Sequence, residues 1–174
     1  MTEREAYIAL NLLGQIGPVR ARSLAAHLGS LAAIFEASEN ELCGAAGIGP
    51  ELAAHIVRRR SEVDPAREEA EAARLGARIV TYADEAYPEP LRTIHDPPMA
   101  LYIVGDWTPA DRHAIAVVGS RRCTHYGRST ADRLAAQLAG AGMTVVSGLA
   151  RGIDMAAHEG ALRAGGRTIA VLGG

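Results

Sequence analysis

The chemistry of this chain is concentrated where arginines crowd a turn. Residues 114–127 read AIAVVGSRRCTHYG. Four β-favouring residues, Ile115 to Val118, run into Gly119, and a helical pattern follows at once. That is the strand–glycine–helix plan of a phosphate-binding turn, in which backbone amides and a helix N-terminus face an anion. The G-x-G-x-x-G of dinucleotide folds is missing, however, and Arg121 and Arg122 stand where such folds carry glycine. A mononucleotide needs one tight glycine cradle. A nucleic-acid strand offers a row of phosphates that calls for cations spread along an edge. Glycine lets the backbone approach, and arginine adds a charged fork and a flat face on which a base can stack.

Other residues invite an enzymatic reading and do not sustain it. Ser147, Asp154 and His158 have the letters of a hydrolytic triad. Yet VVSGLA is not the G-x-S-x-G elbow, and Asp154 and His158 fall one turn apart on a single predicted helix. Asp154 reads as first-turn chemistry at a helix N-terminus and His158 as a packed or hydrogen-bonding neighbour four residues on. Two ligands make no metal site. Cys123 stands among cations near a helix start, without a base or a resolving cysteine. No catalytic residue, metal or cofactor is therefore assigned, and the chain is read as a non-enzyme.

The elements that must position these residues follow from the switching of periods. From residue 113 the order is strand (HAIAVVG), helix (GRSTADRLAAQLAGAG), strand (MTVVSG), helix (DMAAHEGALRAG), strand (RTIAVLGG). A β-α-β-α-β run with apolar strands ending in glycine predicts a parallel sheet with helices on its faces. Ligands of such sheets bind at the carboxyl ends of the strands. Loops 119–126, 147–152 and 173 onward should converge there, bringing Gly119, Ser120, Arg121, Arg122, Ser147, Gly148 and Arg151 to one edge. The third loop begins as the sequence ends, so this part is read as an incomplete fold.

Two segments precede the sheet. Residues 1–62 read as short helices and contain an internal echo, QIGPVRARSLAAHL at 15–28 and GIGPELAAHIVRRR at 47–60. Proline after glycine starts a helix well, since its φ is already helical and the first position needs no donor. Paired I-G-P turns are the form of a helix-hairpin-helix, with Arg20, Arg22 and Arg58 to Arg60 as local cations. Such a motif grips a nucleic-acid backbone or serves purely as a packing module, and the sequence leaves both open. Residues 63–112 carry an acidic helix, with Asp64 as N-cap and Pro65 at its first position, and two extension strands, ARIVTY and MALYIVG, that lead into the sheet. The acids of this stretch read as a solvated surface, because nothing in the sequence pairs them.

Charge and composition narrow the class. The 174 residues have a formal net charge of −2, and all 18 basic residues are arginine, a bias that codon usage explains as readily as function. Residues 61–114 hold eleven acids against five arginines, whereas residues 115–174 hold three against seven. Hydrophobic content of 48% suits a globular protein, and no run of about 18 apolar residues is present to span a membrane. The start has acids where a signal peptide needs bases, and two cysteines are too few for a disulfide framework. A cytoplasmic protein is expected.

Four stretches in order, YPEPLRTIHDPPMALYIVGD, AVVGSRRCTHYGRSTA, VVSGLARGIDMAAHEGAL and GGRTIAVLGG, resemble the DNA-processing protein A (DprA/Smf) family over residues 78–174. The helical start is similar to that family's small sterile-alpha-motif-like domain. The resemblance implies an α/β protein: a helical domain at 1–62, then a Rossmann-like DNA-binding domain from 113, incomplete at 174. It implies a recombination mediator that binds incoming single-stranded DNA in natural transformation and helps load the RecA recombinase, with a homodimer possible in the full-length protein. It places the DNA pocket at Gly119, Ser120 and Arg121 and adds Arg167, where the family usually has lysine. The rival from another class is a phosphoribohydrolase-like Rossmann enzyme acting on nucleoside monophosphates. Its later P-G-G-x-G-T turn is not found in the sequence.

Overall fold

The computed structural model describes residues 1–173, which fall into two compact units, one spanning Met1–Asp106 and one beginning at Trp107. The first unit opens with helices α1 (Glu3–Leu13), α2 (Pro18–Leu28), α3 (Glu39–Cys43) and α4 (Pro50–Arg59). Both I-G-P turns do what their residues dictate: Gly17 and Gly49 are N-caps in extended conformation, and Pro18 and Pro50 take the first helical position. Leu10, Leu24, Ile34, Leu42 and Ile56 fill the core between these helices, all fully buried.

Helix α1 has a second buried face. Ile8 packs with Ala72 of α5 (Pro65–Arg74) and Ile79 of β1 (Ala77–Thr81). The acidic helix α5 starts as its residues require, with Asp64 accepting from the Arg67 N–H at 3.0 Å. Strand β1 pairs antiparallel with β2 (Ala100–Val104), Ile79 opposite Tyr102. These two strands form a sheet of their own. The chain between them carries the short helix α6 (Glu89–Arg92), whose Arg92 guanidinium lies over the rings of Tyr82 and Tyr87 at 4.9 and 5.0 Å.

Not all the acids of this stretch are solvated. Asp84 accepts the Thr81 N–H at 2.7 Å and forms an ion pair with Arg4. Asp111, in the second unit, is 1% exposed. The sequence concealed these pairings because the cations, Arg4 and Arg167, lie 80 and 56 residues away.

The second unit is the β-α-β-α-β run: β3 (Ala114–Ala116), α7 (His125–Gly140), β4 (Thr144–Ser147), α8 (Ile153–Arg163) and β5 (Thr168–Ala170). The strands lie side by side in sequence order, all parallel. Both crossovers step in one direction, and the right-handed connection that such units take places both helices on the same face. Val117 and Val145 accordingly pack with Ala135, Ala139, Ala157 and Ala161. The expected covering on both faces is therefore a covering on one. The opposite face, with Val118 and Val171, is exposed. Helices α7 and α8 approach closely because position 160 is glycine, where a Cβ would strike the Asp132 backbone. Arg163 closes the pair with a bidentate bridge to Asp132 at 2.5 and 2.7 Å.

Candidate nucleic-acid interface

The carboxyl ends of β3 and β4 deliver two loops to one edge. After β3 the chain runs Val117, Val118, Gly119, Ser120, Arg121 and Arg122, then Thr124 caps α7 by accepting the Gly127 N–H at 3.1 Å. After β4 it runs Gly148 to Gly152 into α8. Leu149 takes a left-handed φ of 56°, and Gly152 takes 90°. A non-glycine residue in that region costs energy that only the surrounding structure can impose, and such residues cluster at binding sites.

The loops interlock. The Ile153 N–H donates to the Ser120 carbonyl at 3.3 Å. A Cβ at Gly119 would lie 2.8 Å from Ile153 Cγ1, and one at Gly152 would lie 2.9 Å from the Arg121 carbonyl oxygen. Both glycines are thus required by close approach. Between the loops lies a shallow cleft of about 330 Å³ lined by Arg121, Arg122, Cys123, Thr124, His125, Arg128, Arg151, Gly152 and Met155.

Charge at the cleft is uncompensated. Arg128 bridges to Glu159 at 3.4 Å, but among the described residues Arg121, Arg122 and Arg151 have no carboxylate partner. All three are exposed. Exposed arginines without acidic partners among the described residues, next to the N-terminus of the 16-residue helix α7, make an electropositive rim suited to phosphate. Two backbone donors of the turn are spent inside the protein: Gly119 N–H on Asp154 Oδ1 at 3.3 Å and Arg122 N–H on Ser120 Oγ at 3.1 Å. The guanidinium groups are the charged donors left at the rim.

Of the eight residues singled out in the sequence, six stand at this edge: Gly119, Ser120, Arg121, Arg122, Gly148 and Arg151. Ser147 reaches the same end of β4 but is 2% exposed, and its hydroxyl donates inward to the Val117 carbonyl at 2.6 Å. It fastens β4 to β3, and its proton is committed to that bond. Arg167 enters β5 at its amino end, opposite the loops. Its Nε and Nη2 donate to Asp111 Oδ1 and Oδ2 at 2.5 and 2.9 Å. Burial pushes the Asp111 carboxyl up, but Arg167, the Thr108 N–H and the Thr144 hydroxyl outweigh it and hold it at about 2. Arg167 is thus tied to Asp111 and does not line the cleft.

Ser147, Asp154 and His158 do not hydrogen-bond to one another. His158 Nδ1 donates to Thr168 Oγ1 at 2.7 Å, since that hydroxyl spends its own proton on the Val145 carbonyl. Sequence reasoning missed Arg128, His125 and Met155. A helical repeat from the Thr124 cap would have put Arg128 on the first turns of α7, facing the loop.

A three-stranded parallel sheet with helices after its first two strands defines a Rossmann-like α/β protein. The chain belongs to the DNA recombination-mediator protein A family, whose profile matches residues 78–174. A SAM-like helix-hairpin-helix tandem matches residues 9–60. Over 176 aligned residues the chain is 32% identical to Protein Smf of Synechocystis, covering 99% of this chain and 44% of that protein. It is 42% identical over 90 residues to the DNA processing protein DprA of Streptococcus pneumoniae, covering 52% of this chain and 32% of the relative. The X-ray structure of the Streptococcus pneumoniae DprA superposes with a TM-score of 0.72 at 28% identity, over 99% of this chain and 58% of that one. The chain thus spans less than half the length of these two curated relatives.

Proposed function

We propose that the edge formed by Gly119 to Arg122 and Gly148 to Arg151 binds single-stranded DNA, and that the chain serves as the DNA-binding part of a recombination mediator. The observation that carries this reading is the convergence of Arg121, Arg122 and Arg151, all without acidic partners among the described residues, on one cleft. Cations spread around a rim suit successive phosphates of one strand. The cleft receives loops and helix ends, and among the described residues no helix projects from it to enter a major groove. Family membership supports the remaining parts: protection of incoming strands in natural transformation, loading of RecA recombinase on the bound strand, dimerisation of the longer protein, and a binding rather than a catalytic role in the cytoplasm. The nucleoside-monophosphate reading is the weaker one, because two of the turn amides that would cradle a single phosphate, those of Gly119 and Arg122, already have internal partners.

A salt titration of binding to labelled oligo(dT) and to a hairpin duplex tests the proposal. Three arginine contacts predict a log–log salt slope of about −2 on the single strand. Single strands should bind more tightly than the duplex at moderate salt. Equal affinities, or hydrolysis of a nucleoside monophosphate, would overturn it.

A further inference from the structure

Asp154 is a charged group beside the interface that the proposed function leaves idle. It is 7% exposed, sits in the first turn of the 11-residue helix α8, and has no cationic partner among the described residues. Burying a carboxylate without a counter-ion is costly, so something at this place must repay it. Its Oδ1 accepts the Gly119 N–H at 3.3 Å. Its Oδ2 lies so close to Gly148 that a Cβ there would come within 2.9 Å. The carboxylate therefore stands between the carboxyl ends of β3 and β4, beside the start of α8. That is where a strand–turn–helix fold receives a phosphate, with the helix dipole and turn amides compensating the negative charge.

We infer that Asp154 is a built-in anion in the phosphate seat. It holds Gly119 against α8, so that the following residues Ser120 to Arg122 are presented outward to a polymer's phosphates. It also excludes a free mononucleotide, whose phosphate would need the same amide and would meet a fixed negative charge. Two glycines serve the arrangement: at Gly119 a side chain would collide with Ile153, and at Gly148 one would press on the carboxylate itself. Asp154 is a positioning residue here, acting on DNA through the loop it clasps. The DNA arm of the test rests on the proposed interface, whereas its spectroscopic and phosphate arms do not.

The experiment uses the 174-residue chain with Asp154→Asn, Asp154→Ala and Gly148→Ala, folding being checked by circular dichroism. Asparagine keeps an oxygen for the Gly119 N–H and fills the same space. Asp154→Asn should leave the Gly119 amide resonance near its wild-type position and oligo(dT) affinity within about threefold. Asp154→Ala should shift that resonance and weaken oligo(dT) binding about tenfold, the loss expected for one hydrogen bond to a charged group. The emptied seat should bind inorganic phosphate, titrated by NMR, at least about tenfold more tightly than wild type does. Gly148→Ala should weaken oligo(dT) binding with Asp154 intact, and with Asp154→Asn it decides the matter if the alanine variant does not fold. Wild type and Asp154→Ala binding phosphate equally, or an unmoved Gly119 amide with unchanged DNA affinity, would overturn the inference. If wild type fails to bind oligo(dT) at all, the interface falls, and the amide and phosphate titrations still decide the role of Asp154.

Discussion

Replacing Arg167 separates the structural lock from a DNA contact. In the fold it donates two hydrogen bonds to Asp111, a carboxylate 1% exposed that also accepts from the Thr144 hydroxyl at 2.8 Å and the Thr108 N–H at 2.7 Å. Arg167→Met keeps the aliphatic stem and removes the fork, leaving a buried charge with two of its partners. Breaking a buried pair from one side costs about 3–5 kcal/mol. The Arg167 side chain is 39% exposed, so solvent screening reduces that figure. An independent measure comes from Asp111: holding its carboxyl at about 2 corresponds to about 2.5 kcal/mol, shared by all three donors. Together these give about 2 kcal/mol for the variant. In a unit of this size that lowers the melting temperature by roughly 8–16 °C. The sign with pH follows from the depressed value. The stabilisation is present above the unfolded carboxyl range near 4 and is lost as pH falls through about 2, so wild type and variant should converge in stability across that window. The assay is thermal and urea unfolding between pH 2 and 7, with oligo(dT) binding measured on the same variant at neutral pH. Affinity and salt slope should be unchanged. A preserved melting temperature together with a salt slope flattened by about 0.7 would show that Arg167 is a DNA cation and that the lock is unimportant.

Three further outcomes are expected. Arg121→Ala should weaken single-strand binding about tenfold to a hundredfold, one charge-assisted contact, and flatten the salt slope by about 0.7 while the melting temperature holds; fluorescence anisotropy over a salt series reads both. Gly152→Ala should disturb the interface without removing a cation, because its φ of 90° is unfavourable to alanine and its Cβ would meet the Arg121 backbone; a lower affinity with an unchanged salt slope is the signature. In the first unit, joint replacement of Arg20, Arg22 and Arg58 by glutamine should leave oligo(dT) affinity within about twofold, since Arg20 donates to the Gln15 carbonyl and Arg22 to that of His95; a large loss in gel shifts would make the paired I-G-P turns a DNA grip.

The sequence by itself determined whatever is decided between neighbours in the chain. The glycine and proline of each I-G-P turn set the cap and first position of α2 and α4, and Asp64 with Pro65 started α5. The alternation of apolar strands and helical periods from residue 113 specified a parallel sheet, and with it the edge at which Gly119, Ser120, Arg121, Arg122, Gly148 and Arg151 meet. Those are local propensities and a chirality rule that holds for any such chain. Tertiary structure decided what depends on partners distant in sequence. Arg167 and Asp111 are 56 residues apart, so only the fold shows that this cation is hydrogen-bonded to a carboxylate that looked solvated. Ser147 turned inward because the Val117 carbonyl, 30 residues before it, needed a donor at the end of β3. Asp154 met Gly119 across 35 residues, and that contact filled the phosphate seat. A charge written in the sequence becomes a binding group only when folding leaves it without a closer partner.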